Sequence, residues 1–223
     1  MSPLPNLNIG VDVSTALNAE DAVNMAGLDW EVETFETYYK GEGADEFVFH
    51  KSKKFRSIVR KDTGTEFGHP TNRYTPVQNI DAFKWLDDLT DEGLQFWRAG
   101  SFREGRKVFM IVLLPMPIEV NGDEVRRAMI VSSSGIRANW LPIRVACANV
   151  IAIALANAPV TFRHTASVEG GINSDRAREI LFNAEEYFST YKNSVSRLTI
   201  EPYSDNNMLS LVEDVFDAPR RSE

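Results

Sequence analysis

Residues 108–114, Val-Phe-Met-Ile-Val-Leu-Leu, are apolar at every position. A half-buried strand alternates apolar with polar residues. An unbroken run of this length between turn residues reads as a strand covered on both faces. Such a strand needs a layer of chain on each side, which excludes a simple bundle. Turn signals flank it, with Arg103-Glu104-Gly105 before and Asn121-Gly122-Asp123 after. The segments 93–102 and 124–135 beyond those turns also read as strands, so an antiparallel meander is the simplest arrangement.

The rest of the chain supplies candidates for the covering layers. Residues 1–18 are rich in Pro, Asn and Ser and read as a mobile arm. Residues 19–30 read as a short helix ending at Gly27, with Glu20 and Asp21 in the first turn where the dipole favours them. Residues 30–39 alternate like a strand, residues 47–61 hold one or two strands, and 62–70 read as loop. In Asn-Arg-Tyr-Thr-Pro-Val-Gln-Asn (72–79), Thr75 suits an N-cap, Pro76 the first helical position and Gln78 the third, which makes a capping box. A helix then runs through Leu89 and ends at Gly93. Capping leaves Tyr74 and Asn79 unexplained, and a turn-stabilising hydrogen bond is expected for each. Residues 143–158 are apolar nearly all round and Ala-rich, and read as a buried helix. Residues 160–167 read as a short strand, and 173–198 as an amphipathic helix capped by Asn173 or Ser174. Residues 205–216 read as another helix or an oligomer contact. The expected fold class is α+β: an antiparallel strand-rich core with a buried Ala-rich helix and a long amphipathic helix. The expected division is an arm (1–18), a single domain (19–200) and a C-terminal helix and tail (201–223).

With 223 residues, 43% of them hydrophobic, the chain can build one sizeable core. A single cysteine, Cys147, rules out an intramolecular disulfide and suits a reducing compartment. The start has no basic and apolar leader, and no run reaches the ~18 apolar residues of a membrane span. A cytoplasmic protein with no membrane contact is expected.

The search for chemistry turns up little. Neither glycine-rich phosphate-loop pattern is present, and Ser132–Arg137 reads as a hairpin turn. His50, His69 and His164 are far apart, without companions at helical spacing, so no metal site is expected. Cys147 with the distant His164 has the form of a nucleophile and base. In an apolar, Ala-rich stretch, however, Cys147 reads as a small buried hydrophobe. The paired carboxylates at 87–88, 185–186 and 213–214 read as solvated helix faces. No catalytic residue and no cofactor is expected.

The charge is uneven. The chain carries a net charge of −8, yet residues 47–168 hold 17 Lys/Arg against 11 Asp/Glu, between acidic ends. From Val125 to Val168 there are five arginines and no acid. Either the acidic ends pair with this middle in the fold, or the middle is a polyanion site. Residues 50–61 carry six Lys/Arg, Lys54, Arg56 and Arg60 among them, and no acid. Aromatics are interleaved with cations further on: Trp97 with Arg98, Arg103, Arg106 and Lys107; Trp140 with Arg137 and Arg144; and Arg163 with His164. Cations that track phosphates and aromatics that stack bases are what a single-strand site requires.

Four motifs in order carry a resemblance. AVNMAGLDW (22–30) precedes RYTPVQNIDAF (73–83). The block RAGSFREGRKVFMIVLLP (98–115) comes next, followed by the pair IRVACANVIAIAL (143–155) and FRHTAS (162–167). This order resembles the phage/plasmid-like family catalogued as domain of unknown function 932, over most of residues 20–198. Val150 departs from it, standing where the family commonly has Thr. The resemblance implies a phage or plasmid protein and names no catalytic residue. A remote similarity to single-strand annealing recombinases has been suggested for proteins of this kind. That implies an oligomer binding single-stranded DNA in a basic groove, in recombination or replication. The alternative expectation is a phage protein that binds or blocks a host or defence protein without touching DNA.

Overall fold

The computed structural model describes residues 9–42, 47–120, 122–134, 140–147, 162–165 and 174–198, together with 204, 206, 209 and 210. The elements in chain order are β1 (Val11–Asp12), α1 (Ala19–Met25), β2 (Val32–Glu42), β3 (Phe47–Arg60), β4 (Glu66–Gly68), α2 (Asn79–Phe83), a 3-10 helix (Lys84–Leu89), β5 (Gln95–Phe102), β6 (Lys107–Leu113), β7 (Ile118–Val120), β8 (Asp123–Val125), β9 (Arg127–Ser134), β10 (Trp140–Cys147), β11 (Phe162–Thr165) and α3 (Ser174–Leu198). The fold is α+β with antiparallel sheets.

The expected meander is present. The main sheet has the order β1-β5-β6-β9-β10-β11, so β6 lies inside it. On one face Phe96, Val108, Met110, Val112, Met129 and Val131 join one cluster with Val23 of α1, Phe83 of α2, Leu86 and Leu89, and Ile180, Ala184 and Phe188 of α3. The spacing of those three α3 residues makes one stripe down that helix. On the other face Phe109, Ile111 and Ile130 are also buried. Both faces of β6 are therefore covered, as its unbroken apolar run demands.

Arg127 ties α3 to the sheet. It is 4% exposed. Its guanidinium donates to the carbonyls of Pro115 and Met116 and to the Glu185 carboxylate, and it lies over the Phe188 ring. One of the five arginines of the acid-free stretch is thus consumed by the fold.

The structure corrects several expectations. Residues 143–147 belong to strand β10, not to a helix; residues 148–158 lie outside the described residues. Apolarity alone does not separate a buried strand from a buried helix. Residues 11–13 are not loose: β1 pairs with β5, and Val13 is fully buried. The segment 62–70 contains β4. The capping box at Thr75 does not form. α2 begins at Asn79 with Gln78 as its N-cap residue and no side-chain cap, and after Phe83 the coil tightens into the 3-10 helix.

Gln78 and Asn79 are used over long range instead. The Gln78 amide accepts the Val32 N–H and donates to the Val32 carbonyl, each at 3.0 Å. Asn79, buried, donates to the Leu28 carbonyl at 2.8 Å. Tyr74 packs half-buried against Val32, Ile58 and Phe67, and burial raises its hydroxyl pKa. The string at 72–79 therefore docks the α1–β2 connection onto the body.

Candidate nucleic-acid interface

β2 and β3 form a long antiparallel hairpin, completed at its base by the short β4. Its base is anchored by Val32, Ile58 and Phe67. Beyond that base the hairpin exposes large side chains on both faces. Phe49 is 68% exposed, Tyr39 59%, Tyr38 54%, Phe35 49%, Val48 45% and Phe55 39%. Single exposed hydrophobics are ordinary, whereas six on one hairpin mark a contact surface.

Register assigns the faces. Glu36 pairs with Arg56, Tyr38 with Lys51, and Lys40 with Phe49, so these six share one face. Tyr39 pairs with His50 on the opposite face, and the two rings stack at 5.5 Å. Between the Glu36 and Tyr38 pairs the register jumps, and residues 52–55 bulge from β3. The Ser52 hydroxyl accepts the N–H groups of Lys54 and Phe55. The Lys53 carbonyl takes the Asn72 side-chain amide at 2.9 Å, and the Lys54 carbonyl takes the Asn72 N–H at 2.8 Å. The bulge therefore presents Lys53, Lys54 and Phe55 outward from a held backbone, with the Lys54 ammonium 5.3 Å from the Phe55 ring centre.

Charge on this face is partly paired. Glu36 takes hydrogen bonds from Lys51 and from the Tyr38 hydroxyl. The Lys51 ammonium, then Tyr38, holds the Glu36 carboxyl below its ordinary pKa. Arg60 is committed: it makes a two-pronged pair with Asp62 at 2.7 Å and lies 4.4 Å from the Trp30 ring centre.

The turn joining β5 to β6 abuts the hairpin base. Arg103, Glu104 and Gly105 all have positive φ. A side chain at 105 would come within 2.9 Å of the Trp30 ring, so glycine permits that approach. Arg60 reaches the Glu104 carbonyl and Arg106 donates to the Glu66 carbonyl at 3.0 Å. Arg103 and Arg106 are both exposed. The structure thus brings the turn that carries Arg103 and Arg106 against the base of the hairpin that carries Lys54 and Arg56, with Lys107 at the start of β6.

Other predicted residues fall elsewhere. Trp97 is 2% exposed and cannot stack a base. It sits at a register shift in β5, where the neighbours Phe96 and Trp97 are both buried. Arg98 stands opposite Asp12 and donates to the Gly10 carbonyl, and its Nε is buried without a partner among the described residues. Trp140 and Arg144 lie on β10, and Arg163 and His164 on β11, opposite Pro142 and Leu141. From β6, where Lys107 stands, β10 is two strands away and β11 three, roughly 10 and 14 Å at the usual spacing. Arg137 lies outside the described residues. The exposed aromatics of the hairpin are what sequence reasoning passed over. Their signal was a pair of strands with aromatics and charges on both faces and no face left apolar.

A cleft of about 200 Å³ between α1 and α2 is lined by Trp30, Gln78 and Asn79 but also by Glu20, Asp29 and Glu31, a setting unfavourable to phosphate. Among the described residues no group of three His, Cys, Asp or Glu could hold a metal ion, and no helix is long and apolar enough to cross a membrane.

The family model for domain of unknown function 932 matches residues 66–223, more than two thirds of the chain. The chain belongs to the DUF932 family. The matched DUF932 region begins at β4. It contains Arg103, Arg106, Lys107 and the β10–β11 residues, whereas the β2–β3 hairpin precedes it. No curated protein and no solved structure matches the chain.

Proposed function

We propose that the protein binds single-stranded DNA along the β2–β3 hairpin and works as an oligomeric, non-catalytic annealing protein of phage-type recombination or replication. The observation that carries this reading is the set of exposed aromatics, Phe35, Tyr38, Tyr39, Phe49 and Phe55, interleaved with Lys51, Lys53, Lys54 and Arg56. Phosphates would run along the cations of β3 and onto Arg103 and Arg106. Bases would stack on the rings without being read by sequence, which leaves their pairing edges open to a second strand. The annealing role comes from the resemblance of the motifs to the phage/plasmid-like family; the hairpin chemistry supports the strand binding beneath it.

The test is fluorescence anisotropy of a labelled single-stranded oligonucleotide at several salt concentrations. Micromolar or tighter binding is expected, with log affinity falling by about 0.7 per log unit of salt for each phosphate neutralised. Absence of binding at low salt overturns the reading. The same exposed rings would then be assigned to a protein partner, the alternative the sequence leaves open, with capture of a host protein as its readout.

A further inference from the structure

We propose that two copies of the chain join through the outer edge of β2, antiparallel, about a two-fold axis at Tyr38. This deepens the oligomer part of the reading above and depends on no nucleic acid. β2 is the end strand of its sheet, and among the described residues only β3 pairs with it. It is 11 residues long. A long edge strand presents a row of backbone donors and acceptors that another strand can complete. Proteins blunt such an edge with proline, a bulge or charged side chains, and the charges of β2 are of both signs, so a second copy can pair them. β2 has no proline, and the extra residues of the irregularity lie on β3.

The side chains select the second copy as the occupant. A two-fold antiparallel pair must place one residue opposite itself. With Tyr38 there, Glu36 of each copy stands opposite the partner's Lys40, and this happens twice. Tyr38 meets the partner's Tyr38, and Phe35 lies across from the partner's Gly41. An axis at Glu36 sets that carboxylate against itself. An axis at Thr37 sets Glu36 against tyrosine, and one at Tyr39 sets Glu36 against Glu42. Of these four registers only the one at Tyr38 pairs opposite charges. The Glu36 carboxylate, which already accepts from Lys51 and Tyr38, has acceptor sites left for a further ammonium. The joined sheet would run β4-β3-β2-β2-β3-β4. It would carry Tyr38, Phe49, Lys51 and Arg56 of both copies on one face, doubling the proposed stacking platform.

The full chain, without DNA, is weighed by sedimentation equilibrium. The wild type is expected at twice the 25.1 kDa of the chain or an even multiple of it. Lys40→Glu sets acid against acid and is expected to halve the mass, and Glu36→Lys with Lys40→Glu to restore it. A variant that had merely misfolded would not be rescued by the second reversal. In a Cys147→Ser background, oxidised glutathione should couple Tyr38→Cys into a covalent dimer but not the more exposed Phe49→Cys. A wild type at 25.1 kDa, an unchanged mass for Lys40→Glu, or equal coupling of the two cysteine variants would overturn the interface. The DNA titration is read separately, so either reading can fail alone.

Discussion

Gln78 holds Val32 by both halves of its side-chain amide, accepting the Val32 N–H and donating to the Val32 carbonyl at 3.0 Å each. It does for the first residue of β2 what a neighbouring strand would do, across 46 positions of sequence. Gln78→Ala strands two half-buried backbone groups, and a loss of about 1 to 3 kcal/mol is expected. Gln78→Glu keeps the acceptor but turns a carboxylate oxygen toward the Val32 carbonyl, so it should lose at least as much at neutral pH. Urea unfolding reads both, as a lower midpoint at unchanged slope.

The Arg127–Glu185 pair is lopsided. The Arg127 side chain is 5% exposed and that of Glu185 45%. Arg127→Ala removes the donor to two carbonyls and one carboxylate at once, and a loss of about 3 to 5 kcal/mol is expected. Glu185→Gln leaves the carbonyl contacts in place and should lose about 1 kcal/mol or less. Equal losses in thermal or urea unfolding would contradict this asymmetry.

Asp87 sets a pH dependence. Its carboxylate accepts the Ala19 N–H at 2.6 Å. Burial, aided by the neighbouring charges of Asp88 and Asp21, still raises its pKa above the ordinary 3.8. The folded state therefore holds this proton more tightly than the unfolded chain does. The stability it contributes is fully present below pH 3.8 and declines as pH rises through the folded value. Asp87→Asn should remove that decline and leave the protein more stable at neutral pH. Stability curves of the two proteins across this range, parallel rather than converging toward low pH, would show the assignment wrong.

The hairpin and the sheet make opposite predictions for DNA binding. Lys53→Glu with Lys54→Glu should weaken single-strand affinity and reduce the salt slope by about 1.4, that is about 0.7 for each lost phosphate contact. Trp97→Phe changes a side chain that is 2% exposed. It should lower stability and leave affinity alone. A reversed pattern in anisotropy titrations would move the site to the main sheet.

What the sequence showed and hid follows from the range of the interactions involved. The meander was legible because an unbroken apolar run such as 108–114 has few alternatives. The amphipathic α3 was legible because Ile180, Ala184 and Phe188 repeat at helical spacing. Gln78 was misread as part of a capping box because its partner, Val32, is 46 positions away, and local pattern carries no sign of it. Trp97 and Phe49 look alike in sequence. A register shift beside Trp97 and the position of Phe49 beyond the anchored base of the hairpin decide that one is buried and the other exposed. Residues 143–147 were drawn to a helix by the alanines that follow them, although their pairing with β9 makes them strand.

The most direct test is ultraviolet crosslinking of a thymine-rich single strand to the native protein, with the attached peptides located by mass spectrometry. Crosslinks at Tyr38, Tyr39, Phe49 or Phe55 are predicted, fading as salt is raised. Crosslinks confined to β10 and β11, or none at low salt, would contradict the hairpin as the binding surface.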